Sequence, residues 1–133
     1  MVLNDAARAF LDHPLTAILA TTSGRGRSQA TPIWYMIDGD HVVINTSRGR
    51  VKLRNLETNP YLALTVVDPQ NAYRYVQIQG KVVRFDREHG ARDINLLSLR
   101  YTGKPYGYAA GDKPEDRVTI VIRPLRVSGL RPG

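Results

Sequence analysis

Thr31-Pro32-Ile33-Trp34-Tyr35-Met36-Ile37-Asp38-Gly39-Asp40-His41-Val42-Val43-Ile44-Asn45-Thr46-Ser47 is the stretch on which the fold turns. Asp38-Gly39-Asp40 between two apolar, β-branched runs is a hairpin signal, because Asp-Gly adopts the positive backbone angles a tight turn needs. The spacing predicts a strand from Ser28 to Ile37 and its return from His41 to Thr46. Pro32 lacks the N–H a ladder needs, so its strand must lie at an edge or carry a bulge. Bulges often re-aim groups beside sites. Upstream, Leu15 to Thr22 reads as a strand entering the turn Ser23-Gly24-Arg25-Gly26, preceded by a short amphipathic helix over Asn4 to Asp12. Downstream, the period changes to helical from Arg48 to Asn59. Tyr61 to Val67 is a strand, Asp68-Pro69-Gln70-Asn71 a turn, and Tyr73 to Phe85 a long strand bent at Gly80. Asp86 to Tyr101 is helical, Tyr101 to Pro114 a loop, and Arg117 to Ile122 a strand that continues past Pro124 to Ser128. Six strands at hairpin spacing with inserted helices predict a mainly β, antiparallel barrel.

The 133 residues are the length of one domain, 1–133, and 42% of them are hydrophobic. That supports one core but not a large enclosed pocket, so a deep site calls for a second copy of the chain. There is no cysteine, which excludes disulfides, thiolate metal sites and cysteine nucleophiles. No apolar stretch is long enough to cross a membrane. Met1 to Leu11 lacks the basic-then-apolar pattern of a secretory signal, so the expected location is the cytoplasm. The net charge is +7, with fifteen Arg to four Lys. Such a balance suits nucleic acid, an anionic membrane or an anionic small molecule, or simply a solvated basic surface.

The charges are scattered except at Asn45-Thr46-Ser47-Arg48-Gly49-Arg50-Val51-Lys52-Leu53-Arg54-Asn55-Leu56, between a strand end and a helix start. The first N–H groups of a helix are unpaired and lie in the positive field of its dipole. Thr46 and Ser47 can add hydroxyl donors, and Arg50 and Lys52 can add charge. Hydroxyls, amides and two cations converging on one spot describe a phosphate site. The competing reading is a solvated helix face. Cations at a helix N-terminus oppose the dipole by a few tenths of a kcal/mol each, roughly, so without an anion their placement is unfavourable.

A nucleic-acid groove would interleave basic residues with exposed aromatics. Trp34-Tyr35 and Tyr73-Arg74-Tyr75 could be read so, but strand alternation turns one member of each pair inward. His13, His41 and His89 are dispersed and form no dyad, and His, Asp and Glu do not cluster at metal-ligand spacing. No metal is expected. Tyr73, Tyr75 and Tyr101 are candidate proton donors, although a buried tyrosine with a satisfied hydroxyl is the commoner arrangement.

The succession "TPIWYMIDGDHVVINTS", "RGRVKLRNLETNP", "YLALTVVD", "YRYVQIQGKVVRF" and "RVTIVIRPLRVSGL" resembles the pyridoxamine 5′-phosphate oxidase-like, FMN-binding split-barrel superfamily. The Arg-x-Lys-x-x-Asn-Leu motif is similar to its deazaflavin (coenzyme F420)-dependent oxidoreductase branch, and the likeness runs from about Leu15 to Gly129. The resemblance implies a homodimeric six-stranded split β-barrel with its cofactor at the subunit interface. It implies that Arg50 and Lys52 hold the cofactor phosphate, with Asn55 on the helix facing it. Pro32, Ile33 and Trp34 would lie along the ring, and Thr46 and Ser47 would contact the ribityl-phosphate arm. Tyr73, Tyr75, Gln77 and Gln79 would arrive from the other subunit to cover the ring. Gly80-Lys81 matches the bend after them, and Arg126 and Ser128 a tail strand beside the ring.

One departure matters. Pyridoxamine oxidases proper end in an Arg-x-His signature, whereas this chain has Arg123-Pro124-Leu125-Arg126-Val127-Ser128-Gly129-Leu130 and no histidine there, which argues against pyridoxamine phosphate as substrate. Arg48 and Arg54 suit the acidic tail of coenzyme F420. In hydride transfer the cofactor carries the chemistry, so the lack of a catalytic dyad is no obstacle. The expected function is therefore reduction of a small conjugated or quinone-like molecule with coenzyme F420. The alternatives are an FMN-dependent oxidoreductase, or a non-catalytic carrier of flavin or deazaflavin.

Overall fold

The computed structural model describes residues 2–130. Helix α1 (Asp5–Leu11) leads into β1 (Ala17–Thr22), β2 (Ser28–Ile33), β3 (Met36–Asp38) and β4 (His41–Ser47). Helix α2 (Val51–Thr58) precedes β5 (Tyr61–Asp68) and β6 (Asn71–Asp86). Helix α3 (Gly90–Thr102), a short 3-10 turn (Pro114–Asp116) and β7 (Arg117–Gly129) complete the described chain.

All seven strands form one antiparallel sheet in the order β2-β1-β5-β6-β7-β4-β3. The count is seven rather than six because the strand expected over Ser28 to Ile37 breaks at Trp34-Tyr35. Its halves, β2 and β3, lie on opposite edges of the sheet. That break closes the barrel. Laid flat, the two edges would stand about 29 Å apart at ~4.8 Å per strand. The three peptide steps from Ile33 to Met36 span at most about 11 Å. The sheet must therefore curl until its edges meet at this corner, and the expected antiparallel barrel follows from connectivity alone. Pro32 sits in β2 opposite Ile18, where an edge strand has no further neighbour to miss its N–H.

Inside the barrel, alternate residues of the strands meet: Leu19, Ile44, Leu64, Ile78, Ile120 and Ile122 are all buried in one cluster. Each contributes about 1.5–3 kcal/mol by leaving water. The bend expected at Gly80 is present, with a register shift between Gln79 and Gly80. A side chain there would strike Ile122 Cγ2 at 2.7 Å, so only glycine lets β6 press against β7.

The helices start later than the sequence pattern suggested. At Gly49 the chain takes a positive φ of 91°, so α2 begins at Val51 and not Arg48. Asp86 still belongs to β6, and its carboxylate accepts from the His89 N–H at 3.0 Å to make the turn before α3. At the N-terminus, Asn4 caps α1 by accepting from the Ala7 N–H at 2.8 Å.

The barrel corner is held by the end of α3. Arg100 donates to four carbonyls: Tyr35 O (3.0 Å), Leu11 O (2.8 Å), Asp12 O (2.9 Å) and His13 O (3.0 Å). Tyr101 donates to Leu15 O at 2.6 Å and accepts from the Tyr35 N–H at 3.2 Å. These bonds tie the end of α1, the approach to β1 and the β2–β3 crossing to one helix.

Candidate functional site

Beside that corner lies an open cavity of about 470 Å³. The end of β4 supplies Asn45, Thr46 and Ser47, the start of α2 supplies Arg50 and Lys52, and the β2–β3 crossing supplies Pro32, Ile33 and Trp34. Ile94 and Leu97 of α3, Thr16, Tyr106 and Arg117 make up the rest of the wall. The cavity is thus polar and cationic at one end and apolar to aromatic at the other.

The cationic end has the properties of an anion site. Among the described residues no side chain caps α2, which leaves its first amides open to another acceptor. Among the described residues, neither Arg50 nor Lys52 has a side-chain hydrogen bond or ion pair. Lys52 is half-buried, and its ammonium is held below the ordinary lysine range, first by burial, then by the charges of Arg50 and Arg117. Arg50 and Lys52, gathered beside Arg117 in a partly dry place with no counter-charge of their own among the described residues, are costly in the free protein. An anion would relieve that cost.

The apolar end is rigid. Trp34 stacks on Tyr101 with ring centres 5.2 Å apart and planes 15° from parallel. Tyr35 turns inward and is fully buried, its hydroxyl donating to His13 O at 2.8 Å and its pKa pushed up to about 12, chiefly by desolvation. Trp34 is therefore the member of its pair that faces the cavity. Tyr101 is likewise raised by burial, and its hydroxyl proton is engaged in the corner brace with Leu15 O.

Seven of the twelve residues singled out from the sequence come together here: Pro32, Ile33, Trp34, Thr46, Ser47, Arg50 and Lys52. Asn55 does not. It is buried beneath α2, where its amide donates to Thr21 Oγ1 at 3.0 Å, because its turn of the helix faces β1 and not the cavity. Tyr73, Tyr75, Gln77 and Gln79 all lie on β6, away from this chain's own cavity. Tyr73 is 95% exposed and Tyr75 38%, so neither ring turns inward as alternation suggested. The two share one face at i and i+2, and the guanidinium of Arg74 between them lies over Phe10. Gln79 lines a shallow depression on the outer surface with Tyr61, Gly80 and Leu125. Arg48, expected to suit the acidic tail of coenzyme F420, is committed to Asp116 at 2.6 Å. Arg54 is exposed outside the cavity.

Sequence reading passed over Asn45, Tyr106 and Arg117. A single arginine opening the apolar run Val118 to Ile122 was a usable signal, since charge is rarely placed at the head of a buried strand without a partner or a task. Tyr106 sits in a loop without periodicity, and nothing in the chain marked it. Among the described residues no three His, Asp or Glu side chains are grouped to hold a metal, and no helix is long and apolar enough to cross a membrane.

The curled antiparallel barrel is the split-barrel fold of the flavin-binding pyridoxamine 5′-phosphate oxidase-like proteins. The sequence model described as pyridoxamine 5′-phosphate oxidase matches residues 3–131, so the chain belongs to that oxidoreductase-like family. A solved F420 reductase is similar over 91% of this chain and 94% of its own, at 33% identity and a TM-score of 0.81. A conserved hypothetical protein from Mycobacterium tuberculosis aligns over 96% of this chain and 84% of its own, at 23% identity and a TM-score of 0.74. A pyridoxamine 5′-phosphate oxidase-like protein from Listeria innocua aligns over 95% and 96%, at 18% identity and a TM-score of 0.70, and speaks for the fold alone. No curated protein matches the chain significantly.

Proposed function

We propose that the chain is a coenzyme F420-dependent reductase of small conjugated or quinone-like molecules, working as a homodimer with the cofactor at the subunit interface. The observation that carries this is the pair of partnerless cations, Arg50 and Lys52, at an uncapped helix start beside a wall of Trp34, Ile33 and Pro32. Phosphate and a flat ring are the two ligand features that such a cavity complements. The likeness to an F420 reductase, at 33% identity over nearly the whole chain, favours the deazaflavin over FMN.

The residues present fit such a group. Lys52 and Arg50 would hold the phosphoryl oxygens, with Ser47, Thr46 and the α2 amides donating beside them. Trp34, immobilised by Tyr101, would fix the ring plane. Ile94 and Leu97 would keep water off one side. When bound, the cofactor supplies a ring that accepts and donates hydride, while the chain orients that ring and an acceptor in a dry space. The cavity is open, and Tyr73, Tyr75, Gln77 and Gln79 stand exposed or half-exposed on the far side of β6. A second copy would bring them over its neighbour's cleft, completing a pocket that one chain leaves unroofed.

The test is to add reduced coenzyme F420 to the purified protein with a panel of enones and quinones and to follow reoxidation of the deazaflavin. Turnover supports the reductase. Tight binding without turnover would mark a carrier, and tighter binding of FMN would assign the flavin instead.

A further inference from the structure

Arg117 stands on the same cavity wall as Arg50 and Lys52, yet it is only 6% exposed. A guanidinium that deep is ordinarily enclosed by a full set of acceptors, because desolvating an unpaired charge is expensive. Its set is thin. Nε donates to Asn45 Oδ1 at 2.9 Å, while Nη1 reaches the two oxygens of Asp112 only at 3.4 Å. Asp112 is already engaged at 2.7 Å by the Tyr106 hydroxyl, and the guanidinium lies 5.2 Å from the centre of the Tyr106 ring. No hydrogen bond from Nη2 is made among the described residues.

The orientation of this group is nevertheless fixed. Thr119 donates its hydroxyl proton to Asp93 Oδ2 at 2.7 Å, so its oxygen is left to accept from Asn45 Nδ2 at 3.3 Å. Asn45 Nδ2 also donates to Gly90 O at 2.9 Å. With both Nδ2 hydrogens placed on Gly90 O and Thr119 Oγ1, the amide is held with Oδ1 toward Arg117, where it accepts from Nε. The fork of the guanidinium is thereby aimed along the cavity wall, close enough for its charge to be felt at Lys52.

We propose that Arg117 is a third ligand of the anion bound in this cavity, donating through its Nη groups to the phosphoryl oxygens, with Asn45 as its positioning residue and Asp112 as the counter-charge it leaves. This rests on the phosphate reading above and extends it: three cations and one weakly engaged carboxylate leave a net charge of about +2 at the corner, the complement of a phosphoryl group. Asp112 is then a restraint on affinity, holding Arg117 in place in the free protein and competing for it in the complex.

The test uses the full-length protein and two probes, coenzyme F420 and the corresponding deazaflavin riboside that lacks phosphate, titrated by calorimetry. Arg117→Gln should weaken coenzyme F420 at least about tenfold, the scale of one charge-assisted hydrogen bond, while leaving the phosphate-free probe within about twofold. Asp112→Asn retains an acceptor for Tyr106 but removes the competing charge, and it should tighten coenzyme F420 by about threefold or more. A purely structural Asp112 would instead weaken both probes, so this variant decides the matter even where Arg117→Gln does not fold. In the free protein, the Lys52 amine followed by NMR should titrate at higher pH in Arg117→Gln than in the wild type. If Lys52→Ala weakens coenzyme F420 while Arg117→Gln and Asp112→Asn leave it unchanged, Arg117 is not a ligand and the phosphate site stands. If Lys52→Ala also has no effect, the phosphate reading itself is wrong.

Discussion

Replacing Arg100 by Met removes a brace whose cost the structure lets us work out. Four carbonyls lose a donor, but they are not equivalent. His13 O keeps the Tyr35 hydroxyl, and Asp12 O is within reach of water. Leu11 O and Tyr35 O are part-buried, and among the described residues no other side chain donates to them. An unsatisfied buried acceptor costs about 1–3 kcal/mol, so two of them give about 2–6 kcal/mol, with little added for packing because the Met stem keeps much of it. For a chain of this size 1 kcal/mol moves Tm by about 4 °C, so the variant should melt about 8–24 °C below the wild type by circular dichroism. Arg100→Lys, with three donors on a point and no fork, should recover only part of the loss. A drop below about 2 °C would refute the reasoning, because it would mean that water satisfies the corner without the guanidinium.

Tyr101→Phe deletes the donor to Leu15 O and the acceptor of the Tyr35 N–H. It should cost about 1–3 kcal/mol in a urea melt and, by loosening Trp34, weaken cofactor binding more than Lys104→Ala does. Thr31 Oγ1 is the buried side-chain polar atom without a partner among the described residues, so Thr31→Val should leave Tm unchanged or higher; a fall of several degrees would reveal a hidden partner. Lys52 is charged below its folded pKa, which lies under the ordinary lysine value, so its charge burdens the free protein across neutral pH and the burden lifts as pH rises through that pKa. Two outcomes follow: Lys52→Met should raise the Tm of the ligand-free protein at pH 7, and the affinity for a phosphate-bearing ligand should decline in alkaline buffer before the ordinary lysine range is reached. Lys52→Arg should bind with no such decline. In solution the chain should sediment at twice its 14.9 kDa, and a monomer at micromolar concentration would contradict the shared site.

The barrel was legible because its hairpin turns are local. Gly39-Asp40, with the positive φ at Gly39, makes the two-residue turn that fixes the β3–β4 pairing, and alternation fixes which faces turn in. What could not be read was the break at Trp34-Tyr35, since a strand that continues and one that crosses to the opposite edge have the same composition. Only closure of the whole sheet decides between them. The same holds for the site. Arg50 and Lys52 could be found because a strand end, a glycine and a helix start are adjacent in the chain. Arg117, Asn45 and Tyr106 reach that place from 45 to 117 by the pairing of β4 with β7 and by the course of the 103–113 loop, long-range relations that local pattern does not carry. Asn55 went the other way: the Arg-x-Lys-x-x-Asn spacing is real, but its fifth step rotates the side chain off the cation face and onto Thr21.

The most direct test of the central claim is the affinity of Lys52→Ala for coenzyme F420 against that of the wild type, measured by calorimetry at low salt and neutral pH. Loss of a charged hydrogen bond predicts a Kd raised about 10- to 150-fold, equivalent to about 1.5–3 kcal/mol, with the melting temperature of the free variant kept or increased. Equal affinities for the two proteins would contradict the account, because the cations at the head of α2 would then be an ordinary solvated surface.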